Sequence, residues 1–84
     1  MAEPTTAPAR RPSWTTALDG PRLRQLRRQH GLSQERLASQ AGLSLTTVTR
    51  LERQIRPACR GRTLARLAAA LGEDPSSLTR AGRT

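Results

Sequence analysis

Residues 33–53, SQERLASQAGLSLTTVTRLER, constrain the fold most, because they contain two short helical patterns separated by a tight turn. Ala38 stands where two crossing helices leave room only for a small side chain, and Gly42 stands at the turn, where the backbone needs a positive φ. Ser33 and Ser44 each precede a helical segment and can cap its free N–H groups. The apolar positions Leu37, Leu43, Val48 and Leu51 form a buried face. This spacing predicts a helix-turn-helix, whose second helix normally lies in the DNA major groove.

The chain around this motif predicts a compact, all-α bundle of five short helices. Asp19-Gly20-Pro21 opens the first helix, since proline is well placed in a first turn, and that helix ends near His30. The second helix is expected over about 34–40 and the third over about 45–53, the two halves of the motif.

The segment 54–60 contains Pro57 and is expected to be a loop. A fourth helix follows and ends at Gly72, because its apolar residues share one helical face: Leu64, Leu67, Ala68 and Leu71. Asp74-Pro75 then begins a short fifth helix that buries Leu78. No strand is expected.

Composition divides the chain into three parts. Residues 1–18 are rich in Pro, Thr, Ala and Ser and are expected to be a flexible arm. Residues 19–80 are expected to form the helix-turn-helix domain, and 81–84 a short C-terminal tail. Trp14 is the only aromatic residue. It either folds back over the edge of the core or contacts a partner or a second copy.

The positive charge is concentrated on the folded part of the chain. The net charge is +9, and every basic residue is an arginine. Residues 21–72 hold eleven arginines against only Glu35 and Glu52, whereas the charges of the two terminal segments cancel. A basic folded surface favours a polyanionic partner such as nucleic acid.

The remaining chemistry argues against an enzyme or a metalloprotein. Cys59 is the only cysteine and His30 the only histidine, so neither a disulfide nor a metal site is expected. No nucleophile–base set, carboxylate pair or glycine-rich phosphate loop is present, and no cofactor is expected. The longest apolar run, Leu67 to Leu71, is far shorter than the roughly 20 residues of a membrane span. A cytoplasmic, nucleoid-associated protein is expected.

Residues 20–79 resemble the lambda-repressor-like helix-turn-helix domain, the Cro/repressor-type or XRE family. The matching stretches are LRQLRRQHGLSQERLA, GLSLTTVTRLER and TLARLAAALG, followed by an acidic-Pro turn and Leu78. The resemblance covers most of the chain, and it is specific because many spaced positions agree at once.

The resemblance implies roles for individual residues. In that family the third helix reads bases while the start of the second holds a phosphate. By position, the base-reading residues would be Leu45, Thr46 and Arg50. The DNA-backbone contacts would be Gln34, Ser44, Thr47 and Arg53. Alternatively, Arg50 pairs with an acidic neighbour, Gln34 is only a first-turn residue, and the threonines are ordinary exposed positions.

The resemblance also implies a structural ion pair between Arg27 and Glu52, which would tie the first helix to the end of the third. Two features depart from the family pattern. Gln54 stands where the family usually has glycine, and the loop RPACRGR is longer than in compact members. Arg56, Arg60 and Arg62 flank that loop, in positions suited either to phosphate contact or to simple exposure.

The function expected from these observations is a sequence-specific, double-stranded DNA-binding transcriptional regulator that acts as a homodimer. The alternative is an antitoxin-like or adaptor module that uses the same fold to bind a protein partner through the N-terminal arm. Non-specific DNA coating or RNA binding also fits the positive charge. These functions would leave the reading helix unused, and the chain lacks the aromatic side chains on which single-stranded bases stack.

Overall fold

The computed structural model describes residues 15–79, and its elements follow the predicted helical pattern closely. In chain order they are β1 (Thr15–Ala17), α1 (Gly20–Gln29), α2 (Gln34–Ala41), α3 (Leu45–Arg53), β2 (Ala58–Arg60), α4 (Gly61–Leu71) and a 3-10 turn (Pro75–Leu78). The predicted arm up to Trp14 and the predicted tail 81–84 lie outside the described residues. Within the described range, no helix has the length and apolar character needed to cross a membrane.

The helix boundaries are fixed by the capping residues that the sequence indicates. Asp19 accepts a hydrogen bond from the N–H of Arg22 at the start of α1. Ser33 caps α2 and Ser44 caps α3 in the same way, each accepting from the N–H three residues later. Gly42 ends α2 with φ 70°, in the left-handed region that favours glycine. The predicted bounds of the third helix are confirmed.

One core lies between the helices. α2 packs against both α3 and α4, while α1 packs against α3 and the 3-10 turn. The fully buried side chains come from all of these elements: Leu23, Leu26, Leu37, Val48, Leu51, Leu67, Leu71 and Leu78. Because α3 buries only one side, its opposite side remains available at the surface.

The predicted fifth helix is a single 3-10 turn. Its hydrogen bonds run from the N–H of Ser77 to the carbonyl of Asp74, and from the N–H of Thr79 to that of Ser76. Bonds to the third preceding residue make a tighter helix that rarely extends far. Leu78 nevertheless occupies the predicted buried position.

The expectation that the chain has no strands is wrong. β1 pairs antiparallel with β2, placing Thr15 opposite Arg60. The N–H of Leu18 continues the pairing by donating to the carbonyl of Pro57 (2.8 Å), and the Leu18 side chain is buried. The flexible-arm prediction is therefore incorrect for residues 15–18, which pair with the long loop and fill the edge of the core.

α1 begins in direct contact with the end of α3. The N–H of Gly20 donates to the carbonyl of Ile55 (3.2 Å). A Cβ atom on Gly20 would lie 1.9 Å from the carbonyl oxygen of Gln54 and 2.6 Å from that of Leu51. Gln54 itself is extended (φ −96°, ψ 153°) and ends α3. The close contact between α1 and the end of α3 therefore depends on Gly20 of α1. α3 itself ends at position 54 without a glycine.

Candidate nucleic-acid interface

The exposed side of α3 gathers the three residues predicted to read bases. Leu45, Thr46 and Arg50 line one shallow depression together with Thr49 and Arg53. Leu45 is 42% exposed and, with Ile55 at 65%, is one of two exposed large apolar side chains among the described residues. The depression therefore combines an apolar side chain, two hydroxyls and two guanidinium groups on one helix face.

Ser44 and Thr47, predicted to contact the DNA backbone, form the cap of α3. The Ser44 Oγ accepts from the N–H of Thr47 (3.1 Å) and lies 2.8 Å from Thr47 Oγ1. The two hydroxyls therefore hold each other at the start of the helix. Ser44 is exposed and Thr47 is partly buried.

A buried ion pair fixes α3 from behind. Arg27 Nε donates to Glu52 Oε2 at 2.6 Å, and Arg27 Nη2 donates to Oε1 at 3.1 Å. The remaining terminal nitrogen, Nη1, donates to the carbonyl of Leu32 at 2.7 Å. One guanidinium group thus joins α1, the connection to α2 and the last turn of α3.

Gln34, predicted to hold a phosphate, turns its side chain onto α3. Its Nε2 donates to Glu52 Oε1 at 3.0 Å, and its Oε1 accepts from the hydroxyl of Thr49 at 3.2 Å. The sequence does not predict Thr49 as a partner of Gln34, because no recognisable pattern relates a threonine to a glutamine 15 residues away in the chain. The amide orders α3, and one N–H of Nε2 remains for a further contact.

Arg50 is not held by an acidic neighbour within residues 15–79. The ion pairs of that range are Arg27–Glu52 and a longer contact of 3.9 Å between His30 and Glu73. The guanidinium groups of Arg50 and Arg53 therefore remain exposed on α3.

A second depression lies between α3, the two strands and the start of α4. It is lined by Thr15, Leu43, Thr47, Arg50, Ala58, Cys59, Arg60 and Thr63. Burial raises the pKa of the Cys59 thiol, while the positive charge of Arg50 acts in the opposite direction. Cys59 is only 6% exposed, so it serves as a packing residue at the edge of the core. Among the described residues, no group of three or more His, Cys, Asp or Glu could hold a metal ion.

The start of α4 adds a further positive feature beside this depression. Arg60 and Arg62 are exposed there, and no side chain caps the first N–H groups of the helix. A helix N-terminus with free N–H groups attracts anions, and nearby guanidinium groups strengthen that attraction.

A profile of the family described as "Helix-turn-helix domain" matches residues 20–81. The chain belongs to this family. The match includes both helices of the motif, the ion pair that fixes α3, and the 3-10 turn. No curated protein sequence is similar enough to this helix-turn-helix protein to count as a match.

Solved structures with the same fold include several regulators. The restriction-modification controller protein C.AhdI from Aeromonas hydrophila is 41% identical, with a TM-score of 0.64 over 69% of this chain and 86% of that chain. SinR, the master regulator for biofilm formation, solved in complex with DNA, is 26% identical, with a TM-score of 0.65 over 69% and 92%. The hypothetical transcription factor NHTF from Neisseria is 29% identical, with a TM-score of 0.61 over 86% and 89%. The predicted fold class and the lambda-repressor-like, XRE-type resemblance are confirmed.

Proposed function

We propose that this helix-turn-helix protein is a sequence-specific regulator of transcription that binds double-stranded DNA with α3 in the major groove. The observation that carries the proposal is the exposed face of α3, where Leu45, Thr46 and Arg50 line one depression while the opposite face is fixed in the core. The similarity to a controller protein, and to a regulator solved with DNA, supports the same function.

The side chains on this face suit direct reading of base edges. Arg50 can donate two hydrogen bonds to O6 and N7 of one guanine, the commonest specific contact in the major groove. Leu45 and the methyl group of Thr46 can contact a thymine methyl. A half-site containing guanine and thymine is therefore the expected target.

Contacts to the DNA backbone would set the register of α3. Ser44, Thr47 and Arg53 lie at the two ends of α3, and the free N–H of Gln34 lies beside it. Phosphate contacts of this kind fix orientation and carry no sequence information. The exposed arginines at the start of α4 would extend the contact along the same backbone.

A homodimer would place two copies of α3 in successive major grooves, about 34 Å apart. Its target would be an inverted repeat, because a two-fold axis relates the two half-sites. A regulator of this kind acts in the cytoplasm, at the nucleoid.

Selection of bound sequences from a random duplex pool tests the function. Salt should be near physiological, because low salt lets phosphate attraction hide base preference. Enrichment of an inverted repeat is the expected result. Failure to enrich any sequence would contradict DNA reading and favour the protein-interaction alternative.

Arg50→Ala should remove the preference for guanine at one position of each half-site. The substitution removes the bidentate hydrogen bond from Arg50 to guanine, which is worth about 1–3 kcal/mol of discrimination between bases. The measurement is the same selection experiment, followed by titration of the enriched duplex and of a duplex with that guanine replaced. An unchanged enriched site would exclude Arg50 from base reading.

Arg53→Ala should weaken binding to all sequences by a similar factor and leave the enriched site unchanged. Losing one phosphate contact should reduce the slope of log K against log salt by about 1. Arg53→Lys is the matched control, because it keeps the charge and should keep the slope. A changed base preference in Arg53→Ala would contradict a backbone role.

A further inference from the structure

Thr49 belongs to two environments at once. Its side chain lines the exposed depression of α3 with Leu45, Thr46 and Arg50. Its hydroxyl also donates to Gln34 Oε1, which links it to the buried Arg27–Glu52 pair. Thr49 therefore connects the exposed depression of α3 to the polar network behind that helix.

The direction of every hydrogen bond in this network is set by charge. Arg27 can only donate, and the carboxylate of Glu52 can only accept. Gln34 must present its NH₂ group to Glu52, at 3.0 Å, so its Oε1 faces Thr49. An amide oxygen only accepts, and the proton of the Thr49 hydroxyl is consequently committed to it.

A hydroxyl group has one proton to donate and two lone pairs with which to accept. Since the proton of Thr49 points inward to Gln34, only lone pairs remain on the side of the exposed depression. Without this arrangement, the hydroxyl could rotate and serve either as donor or as acceptor.

We propose that Thr49 is a specificity-determining residue that accepts a hydrogen bond from the exocyclic amino group of one base in the major groove. The inference rests on the proposed function of α3 and deepens it. In the major groove adenine offers N6–H₂ and cytosine N4–H₂, whereas guanine and thymine present O6 and O4 acceptors. Thr49 therefore selects an amino base, A or C, over a keto base, G or T, on the contacted strand.

The test compares the sequences enriched by four variants with those of the parent protein. Thr49→Val keeps the shape and removes the hydroxyl, so the A/C preference should disappear at one position of each half-site. Thr49→Ser keeps the hydroxyl and should retain the preference. Gln34→Met removes the acceptor that orients the proton, so G and T should become acceptable at that position. Ser39→Ala is the control, because it removes an exposed hydroxyl from α2, away from the α3 face, and should not alter the preference.

Replacement of the contacted base supplies the quantitative test. Removing the amino group of that base should weaken binding by the parent about 2- to 12-fold, the range for one net hydrogen bond. The same replacement should leave binding by Thr49→Val unchanged. Thermal unfolding of each variant shows that it is folded under the binding conditions.

The possible outcomes separate this inference from the function on which it rests. If the parent enriches a site and Thr49→Val enriches the identical site, Thr49 does not read a base, although α3 still does. If Gln34→Met keeps the A/C preference, the oriented proton is not its cause. If the parent enriches no site, both proposals fail together.

Discussion

Glu52→Ala is expected to lower the free energy of unfolding by about 3–5 kcal/mol, the range for breaking a buried ion pair from one side. The Arg27 side chain is only 11% exposed, and its guanidinium group donates two hydrogen bonds to the Glu52 carboxylate. The substitution removes that carboxylate and leaves the buried charge unpaired. It also removes the acceptor of the Gln34 amide. Urea denaturation of the purified domain measures the change.

Two further variants show whether burial causes this loss. Glu35→Ala removes an exposed glutamate from α2 and should cost no more than about 1 kcal/mol. The double variant Arg27→Met with Glu52→Met removes both charges and should recover most of the loss, because no buried charge remains unpaired. A loss below about 1 kcal/mol for Glu52→Ala would mean that the pair behaves as a surface ion pair.

Gly20→Ala is expected to destabilise the fold by about 3 kcal/mol or more, above the usual range for overpacking. The added Cβ would meet two backbone oxygens, those of Gln54 at 1.9 Å and Leu51 at 2.6 Å. Neither belongs to a flexible side chain, so α1 must move away from the end of α3. The midpoint of thermal unfolding should fall accordingly.

Gly61→Ala is the matched control for this prediction. Gly61 also begins a helix, but nothing lies within 4 Å of the Cβ position there. The substitution should be neutral or stabilise by about 0.4–1 kcal/mol, because alanine has less freedom in the unfolded chain. Equal unfolding midpoints for the two alanine variants would contradict the close contact at Gly20.

The helical part of the fold could be predicted because its signals are local. Ser33, Gly42 and Ser44 set the boundaries of α2 and α3, and each acts through backbone groups within a few residues. The apolar spacing of α4 likewise identifies its buried face without knowledge of the other helices.

The strands could not be predicted in the same way. β1 and β2 have three residues each, too few to show alternation, and their pairing joins segments that are distant in the chain. Leu18 belongs to no helical period, so the sequence places it in the arm, although the folded chain leaves it only 1% exposed. Such contacts depend on tertiary packing, which local patterns do not contain.

The polar contacts behind α3 show a similar division. The positions of Arg27 and Glu52 follow from the resemblance to a known family, and the structure pairs them. The orientation of the Gln34 side chain toward α3, and its hydrogen bond with Thr49, could not be predicted. They depend on which polar groups lie within reach in the folded protein, and the sequence alone does not show that. The base and backbone contacts of the exposed α3 face stay predictions until a complex with DNA is tested.

The pairing of β1 with β2 places β1 beside the depression that Arg60 lines. β1 is held mainly by β2, so its local opening requires less free energy than unfolding of the helices. Arg60, on β2, lies opposite Thr15 and lines the same depression as Arg50. Thr15 lines this depression as well, so a ligand that contacted both strands there would bind only while β1 is paired, and it would disfavour the opening of β1. By thermodynamic linkage, whatever holds β1 in place would strengthen the binding of such a ligand by the same factor.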